Sequence, residues 1–211
     1  MHKRPPSYRF NSPLQMMAIA ANAHGYSKGD TWIGERITAE GRHLGIVNLR
    51  ADASNEALMA AISKAIGVTP STEPCSVAVG DKVSAIWLSV DEWLLVSDTQ
   101  IGAKTVEDLN AATQGMFLSV VNLTSNYATI RLSGSDANGV LSKLVPYDTH
   151  ADNFKVGSAI GTVAGKANVV LHKLDEEPTY DVYVRRSFAC YVWQYLQDAG
   201  LEYDLKVAGR I

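Results

Sequence analysis

The sequence is poor in the residues from which metal and redox centres are built. Its two cysteines, Cys75 and Cys190, lie far apart and form no CxxC or Cys/His ligand spacing. Two free thiols in a reducing compartment are the expectation. The five histidines, His2, His24, His43, His150 and His172, lack the i, i+4 or short-loop spacing that brings two imidazoles to one ion. No apolar run approaches the ~20 residues of a membrane span, so no membrane partner is expected. Formal net charge is −3, and no stretch beyond the first few residues concentrates Lys and Arg. Nucleic-acid binding therefore has no electrostatic footprint. The opening MHKRPPSYRFNSPLQMMAIAANAHG carries basic residues and an A-x-A-like triplet at Ala21, Asn22 and Ala23. Gln15 interrupts its apolar run, and Met16 to Ala21 is short for an h-region of ~7 to 15 residues, so a cytoplasmic protein is expected.

Catalytic signatures are also missing. GSAIGTVAGKA (Gly157 to Ala167) is glycine-rich, but three residues rather than four separate Gly161 from Gly165, and Ala167 stands where a P-loop needs a hydroxyl. A turn and a strand are expected there. LSGSDANGV (Leu132 to Val140) has no GxGxxG opening and places Ser135 or Asp136 at a helix cap. Asp91 and Glu92, being adjacent in a hairpin, point to opposite faces and read as a turn before a buried Trp93. Ser187 lacks a GxSxG elbow, and Cys190 lacks a partner base.

What remains is an ordinary globular composition, 46% hydrophobic and 19% charged with seven prolines, over 211 residues. That is enough for one large domain or two small, closely packed ones. The most informative stretch is TYDVYVRRSFACYVWQYLQDAG (Thr179 to Gly200). Tyr180, Val182 and Val184 should point one way and Asp181, Tyr183 and Arg185 the other. Ser187 should then cap a helix that Gly200 ends with a left-handed residue. On that helix Phe188, Ala189, Tyr191, Val192, Trp193, Tyr195 and Leu196 cover roughly 200°, wider than one core-facing stripe needs. Two neighbours are implied, the chain's own sheet and another chain. Arg186, Tyr191, Trp193 and Tyr195 are the candidate interface residues. Arg185 and Arg186 could fork onto an anion or a partner, against the plainer reading of salt bridges at a sheet edge.

An internal repeat organises the rest. His43 to Val68 reads as strand, polar turn and helix, with Ser54 or Asn55 as the cap, and Tyr127 to Val145 repeats that unit with Asp136 opening the helix. Asp52 and Asp136 occupy matching turns. Val83 to Val90, Glu92 to Asp98 and a helix around Lys104 to Ala112 follow the first unit. Asn168 to Leu174, Tyr180 to Val184 and the aromatic helix follow the second. The expected fold is α+β, with duplicated strand-helix-strand-strand-helix halves and mainly antiparallel sheets. The divisions are 1–40 for an N-terminal segment and first strand, 41–112 for the first repeat and 113–211 for the second, with a linker near Thr113 to Met116.

IWLSVDEWLLVS, VVNLTSNYATIRLSGSDANGVLSKLVPYD and YDVYVRRSFACYVWQYLQDAG, in that order, resemble the gamma-subunit family of heterotetrameric sarcosine oxidase. The most specific marks are DEWLL at Asp91 to Leu95, the Leu-x-Gly-x-Asp-Ala run at Leu132 to Ala137, and RSFA at Arg186 to Ala189. SPLQ at Ser12 to Gln15 also looks similar. That family is similar in turn to the folate-binding region of aminomethyltransferases, whose halves are duplicated. The resemblance implies a noncatalytic chain with no catalytic, cofactor-binding or metal residues. It would sit beside alpha, beta and delta subunits that carry FAD, FMN, NAD, tetrahydrofolate and zinc, in a complex that demethylates sarcosine to glycine. The alternatives are the equivalent subunit of a related N-methyl amino acid dehydrogenase, such as an N-methylglutamate dehydrogenase, and a stand-alone folate-binding protein.

Overall fold

A computed structural model describes residues 13–14, 30–37, 43–97 and 102–211. Ser12 and Gln15 of the SPLQ match lie outside the described residues. In chain order the strands are β1 (Trp32–Glu35), β2 (Gly45–Ala51), β3 (Val77–Val79), β4 (Ser84–Ser89), β5 (Glu92–Ser97), β6 (Leu118–Asn122), β7 (Tyr127–Ser133), β8 (Ala159–Ala164), β9 (Ala167–Lys173), β10 (Thr179–Arg185) and β11 (Lys206–Arg210). The helices are α1 (Glu56–Ile66), α2 (Gly102–Ala112), α3 (Ala137–Ser142) and α4 (Ala189–Ala199).

The strands form two sheets, one ordered β3-β4-β5-β2-β6 and the other β11-β1-β7-β10-β9-β8. Strand alternation assigns every strand two faces, and both faces of each sheet are used. On β10, Tyr180, Val182 and Val184 join α3 and α4 in one core, while Tyr183 joins Leu44, Ile46, Ile86, Leu94 and Val96 in a second core between the sheets. On β5, Trp93 and Leu95 pack with α1 and α2 in a third core. The order of layers is therefore helices, sheet, sheet, helices. Pairing is antiparallel throughout except between β1 and β11, as the α+β reading requires.

The two halves exchange strands. A turn does follow α2 at Thr113 to Met116, but the next strand, β6, pairs with β2 of the first sheet. In return β1, from the N-terminal segment, lies between β7 and β11 in the second sheet. A division of the chain at 112/113 thus does not follow sheet membership.

Three local expectations need correction or refinement. Asn55 caps α1, its side chain accepting from the Leu58 N–H at 3.1 Å, but Asp136 makes no side-chain cap bond. The Asp136 amide instead donates to Thr31 Oγ1, and Ser135 donates to Asp30, so chain from the N-terminal segment does the work of a cap. Ser187 does not cap the aromatic helix. It sits inside a 3-10 turn, Arg186–Phe188, and α4 starts after Phe188 with no side-chain cap. Gly200 is not left-handed, having φ −84, whereas Asp204 is, at φ 49. Glycine is needed at 200 for space, since a Cβ there would stand 2.6 Å from Leu205 Cβ.

Candidate functional site

The wide aromatic arc of α4 divides into two parts. Ala189, Val192, Trp193, Leu196 and Ala199 form the buried stripe, at the i, i+3, i+4, i+7 spacing of a helix lying on a sheet. Trp193 is 0% exposed, so its selection as an interface residue is corrected: its surface is spent inside the chain. Tyr191 and Tyr195 flank the stripe, their ring centroids 5.9 Å apart, and close on the β8–β9 turn. The Tyr191 hydroxyl accepts from the Lys166 amide at 3.1 Å. Gly165 holds φ +61 there, and a Cβ on it would stand 2.4 Å from both Tyr191 Oη and Tyr195 Cε1. Part of the arc's excess width thus seats a hairpin. Tyr191 and Phe188 still keep 38% and 47% exposure, and Arg186 is half-buried beside them in sequence.

A charged cluster lies on the face of the second sheet turned towards the first. Asp181 is completely buried and accepts from Arg131 at 2.8 and 2.9 Å and from Arg36 at 2.5 Å. Two guanidiniums on one carboxylate satisfy it as fully as a buried charge requires. His172 stands opposite Asp181 in the β9–β10 register and is buried, with no hydrogen-bond partner for Nδ1 among the described residues. Burial lowers its pKa from 6.5 to about 4, Asp181 opposes the shift, and Arg36 and Arg131 add to it. The imidazole is neutral near pH 7. Strand alternation places Asp181 on this face from sequence. Arg36 and His172 carry no spacing signal, because their partners are 145 residues away and across a strand pair respectively.

Further along the same face, where the first sheet no longer covers the second, is an open groove of about 580 Å³. Tyr127, Gly161, Val163, Asn168, Val170, Tyr183 and Arg185 are among its lining residues. Arg185 and Tyr127 are directly paired across β10 and β7, and the guanidinium lies 4.6 Å from the centre of the tyrosine ring. Burial raises the Tyr127 pKa, the Arg185 charge opposes that, and Glu92 of the first sheet adds to it.

The hairpin carboxylates behave as the turn reading expects. Asp91 pairs with Arg50 at 2.8 Å, and Glu92 accepts from Asn48 at 2.7 Å, on different partners. Cys75 and Cys190 are free thiols. Among the described residues no group of three or more His, Cys, Asp or Glu could hold a metal ion, and no helix is long and apolar enough to cross a membrane.

Comparison with known proteins agrees with the ordered motifs. The model of the sarcosine oxidase, gamma subunit family matches residues 50–202. The sarcosine oxidase gamma subunit of Corynebacterium sp. strain P-1 is 32% identical over 146 residues, 68% of this chain and 70% of that one. The gamma subunit of an Arthrobacter species is 29% identical over 192 residues, 91% and 90% of the two chains. Among solved structures, a chain of heterotetrameric sarcosine oxidase from Corynebacterium sp. U-96 superposes with a TM-score of 0.81 and 26% identity, covering 92% of this chain and 96% of that one. The glycine cleavage system aminomethyltransferase T of Bartonella henselae shares the fold, with a TM-score of 0.61 at 10% identity over 92% of this chain and 51% of that one. The family match takes in DEWLL, the Leu-x-Gly-x-Asp-Ala run and RSFA, and the chain belongs to the sarcosine oxidase gamma subunit family.

Proposed function

We propose that this chain is the noncatalytic gamma subunit of a heterotetrameric sarcosine oxidase, assembled in the cytoplasm with alpha, beta and delta subunits. The observation that carries the reading is the near full-length match to one chain of such a heterotetramer. The polar groups gathered on this chain support it. Asp181 is held by two arginines and His172 is kept neutral by burial, which suits groups that serve the fold. In the complex, sarcosine loses its N-methyl group as glycine forms, with two electrons passing to a flavin and the one-carbon unit passing to tetrahydrofolate or leaving as formaldehyde. FAD, FMN, NAD, tetrahydrofolate and zinc belong to the partner chains. This chain contributes buried surface and fixes the placement of its neighbours.

Gentle purification of the tagged full-length chain from its own cells tests the assignment. The expected result is co-purification of larger subunits with a flavin absorption spectrum and sarcosine-dependent activity. Recovery of the chain alone would refute it. Titration of the isolated chain with tetrahydrofolate separates this reading from a folate-binding protein, since saturable micromolar binding would favour the latter.

A further inference from the structure

We infer that the groove on the exposed end of the second sheet is a docking cleft for an extended, carboxylate-bearing segment of a partner subunit, with Arg185 as its anchor. The inference rests on the gamma-subunit reading above and adds where a partner sits and what chemistry it presents.

Charge complementarity points to the occupant. Among the described residues lining the groove Arg185 alone is charged, and it is exposed. No carboxylate pairs with it among the described residues. Its guanidinium carbon lies 4.6 Å from the centre of the Tyr127 ring, so the charge is held against one wall of the groove. A guanidinium so placed is suited to a carboxylate. Asn168 adds an amide, and Val163, Val170 and the two tyrosine rings supply apolar wall. Gly161, with nothing within 4 Å of a built Cβ, leaves the floor open. The groove is open along one side, so it covers one face of an extended chain rather than surrounding a small molecule.

On sequence alone, position 185 is the less favoured of the two adjacent arginines. Strand alternation puts its side chain on the inter-sheet face, with Tyr183, while the next residue enters the 3-10 turn.

The test is assembly of the whole complex from co-expressed subunits, with the full-length chain as wild type, Arg185→Glu, Arg185→Lys and Asn168→Trp. Thermal melts of each isolated chain establish that the variants fold. We expect R185E to weaken retention of the partner about 10-fold, N168W to do the same by filling the groove, and R185K to stay closer to wild type. A wild type that assembles while folded R185E and N168W assemble equally well overturns the cleft and leaves the gamma-subunit reading intact. A wild type that recovers no partner overturns both. Saturable binding of succinate or phosphate to the isolated wild-type chain, lost in R185E, would replace the partner segment with a free anion. Dimerisation of the isolated chain that R185E abolishes would replace it with a second copy.

Discussion

His172 makes the stability of this protein depend on pH in a predictable direction. In the unfolded chain its imidazole titrates near 6.5, and in the folded chain near 4, because burial disfavours the charged form and Arg36 and Arg131 repel it. Above pH 6.5 it is neutral in both states and costs nothing. As pH falls through 6.5 the unfolded chain takes up a proton that the folded chain refuses, so stability falls until the folded pKa near 4 is passed. At about 1.36 kcal/mol for each pH unit between the two values, the full window is worth about 3 kcal/mol. Between pH 7 and pH 5 the same two pKa values give a loss of about 2 kcal/mol. For a chain of this size that is about 4–8 °C in melting temperature. The perturbation is His172→Gln, which keeps a neutral polar side chain but cannot charge. Urea denaturation of both proteins at pH 7 and pH 5 cancels the titration of every other group in the difference. The wild type should lose about 2 kcal/mol more than the variant. Equal losses in the two proteins would show that His172 charges freely in the fold, and the account of burial opposed only by Asp181 would be wrong.

Asp181→Asn removes the one carboxylate shared by two largely buried guanidiniums, and should cost about 3–5 kcal/mol by urea denaturation; a loss under ~1 kcal/mol would refute the buried network. Asn55→Ala should cost about 1 kcal/mol, since its side chain caps α1, whereas Asp136→Ala, with no cap bond to lose, should change stability by less than ~0.5 kcal/mol. Equal costs would mean that the two turns are capped alike after all. Gly157 and Gly165 both hold positive φ, but only Gly165 is closed in by tyrosines. Gly157→Ala should therefore cost about 1 kcal/mol, and Gly165→Ala about 1 kcal/mol more, with equal melting temperatures for the two variants as the refuting result.

Sequence patterning reads the sheets well wherever one strand face is apolar and the other meets a different layer. Tyr180, Val182 and Val184 go to one core and Tyr183 to the other, as a period of two demands. Helix α1 is legible down to its cap because Asn55 acts within its own turn. The second repeat misleads at the matching place, because the function of a cap at Asp136 is supplied by Asp30 and Thr31, 105 residues away. Ser187 fails as a cap for a related reason. The chain leaves β10 through a 3-10 turn, and a hydroxyl preference says nothing about how many turns precede the α-helix. The breadth of the aromatic arc is legible in the sequence, its meaning only in part. Trp193 faces the core, and the tyrosines close over a hairpin whose approach depends on a glycine far along the chain.

The strand exchange changes what the internal repeat means for function. A duplication of two complete units would leave an interface that could slip, since sheets joined only through side chains can shear. Here β6 completes the first sheet from residues beyond the first repeat, and β1 is inserted into the second sheet from residues before it, so backbone hydrogen bonds tie each half to the other. The isolated bridge between Ser76 and Ser158 adds a further tie between the two halves. The inter-sheet layer consequently holds one geometry from the Leu44 cluster through the Asp181 network to the Arg185 groove. The docking proposed above depends on such fixed relations, because a docking residue is useful only if its orientation is set before the partner arrives. Arg185 meets that condition through the Tyr127 ring beneath it and the β7–β10 ladder that pairs the two.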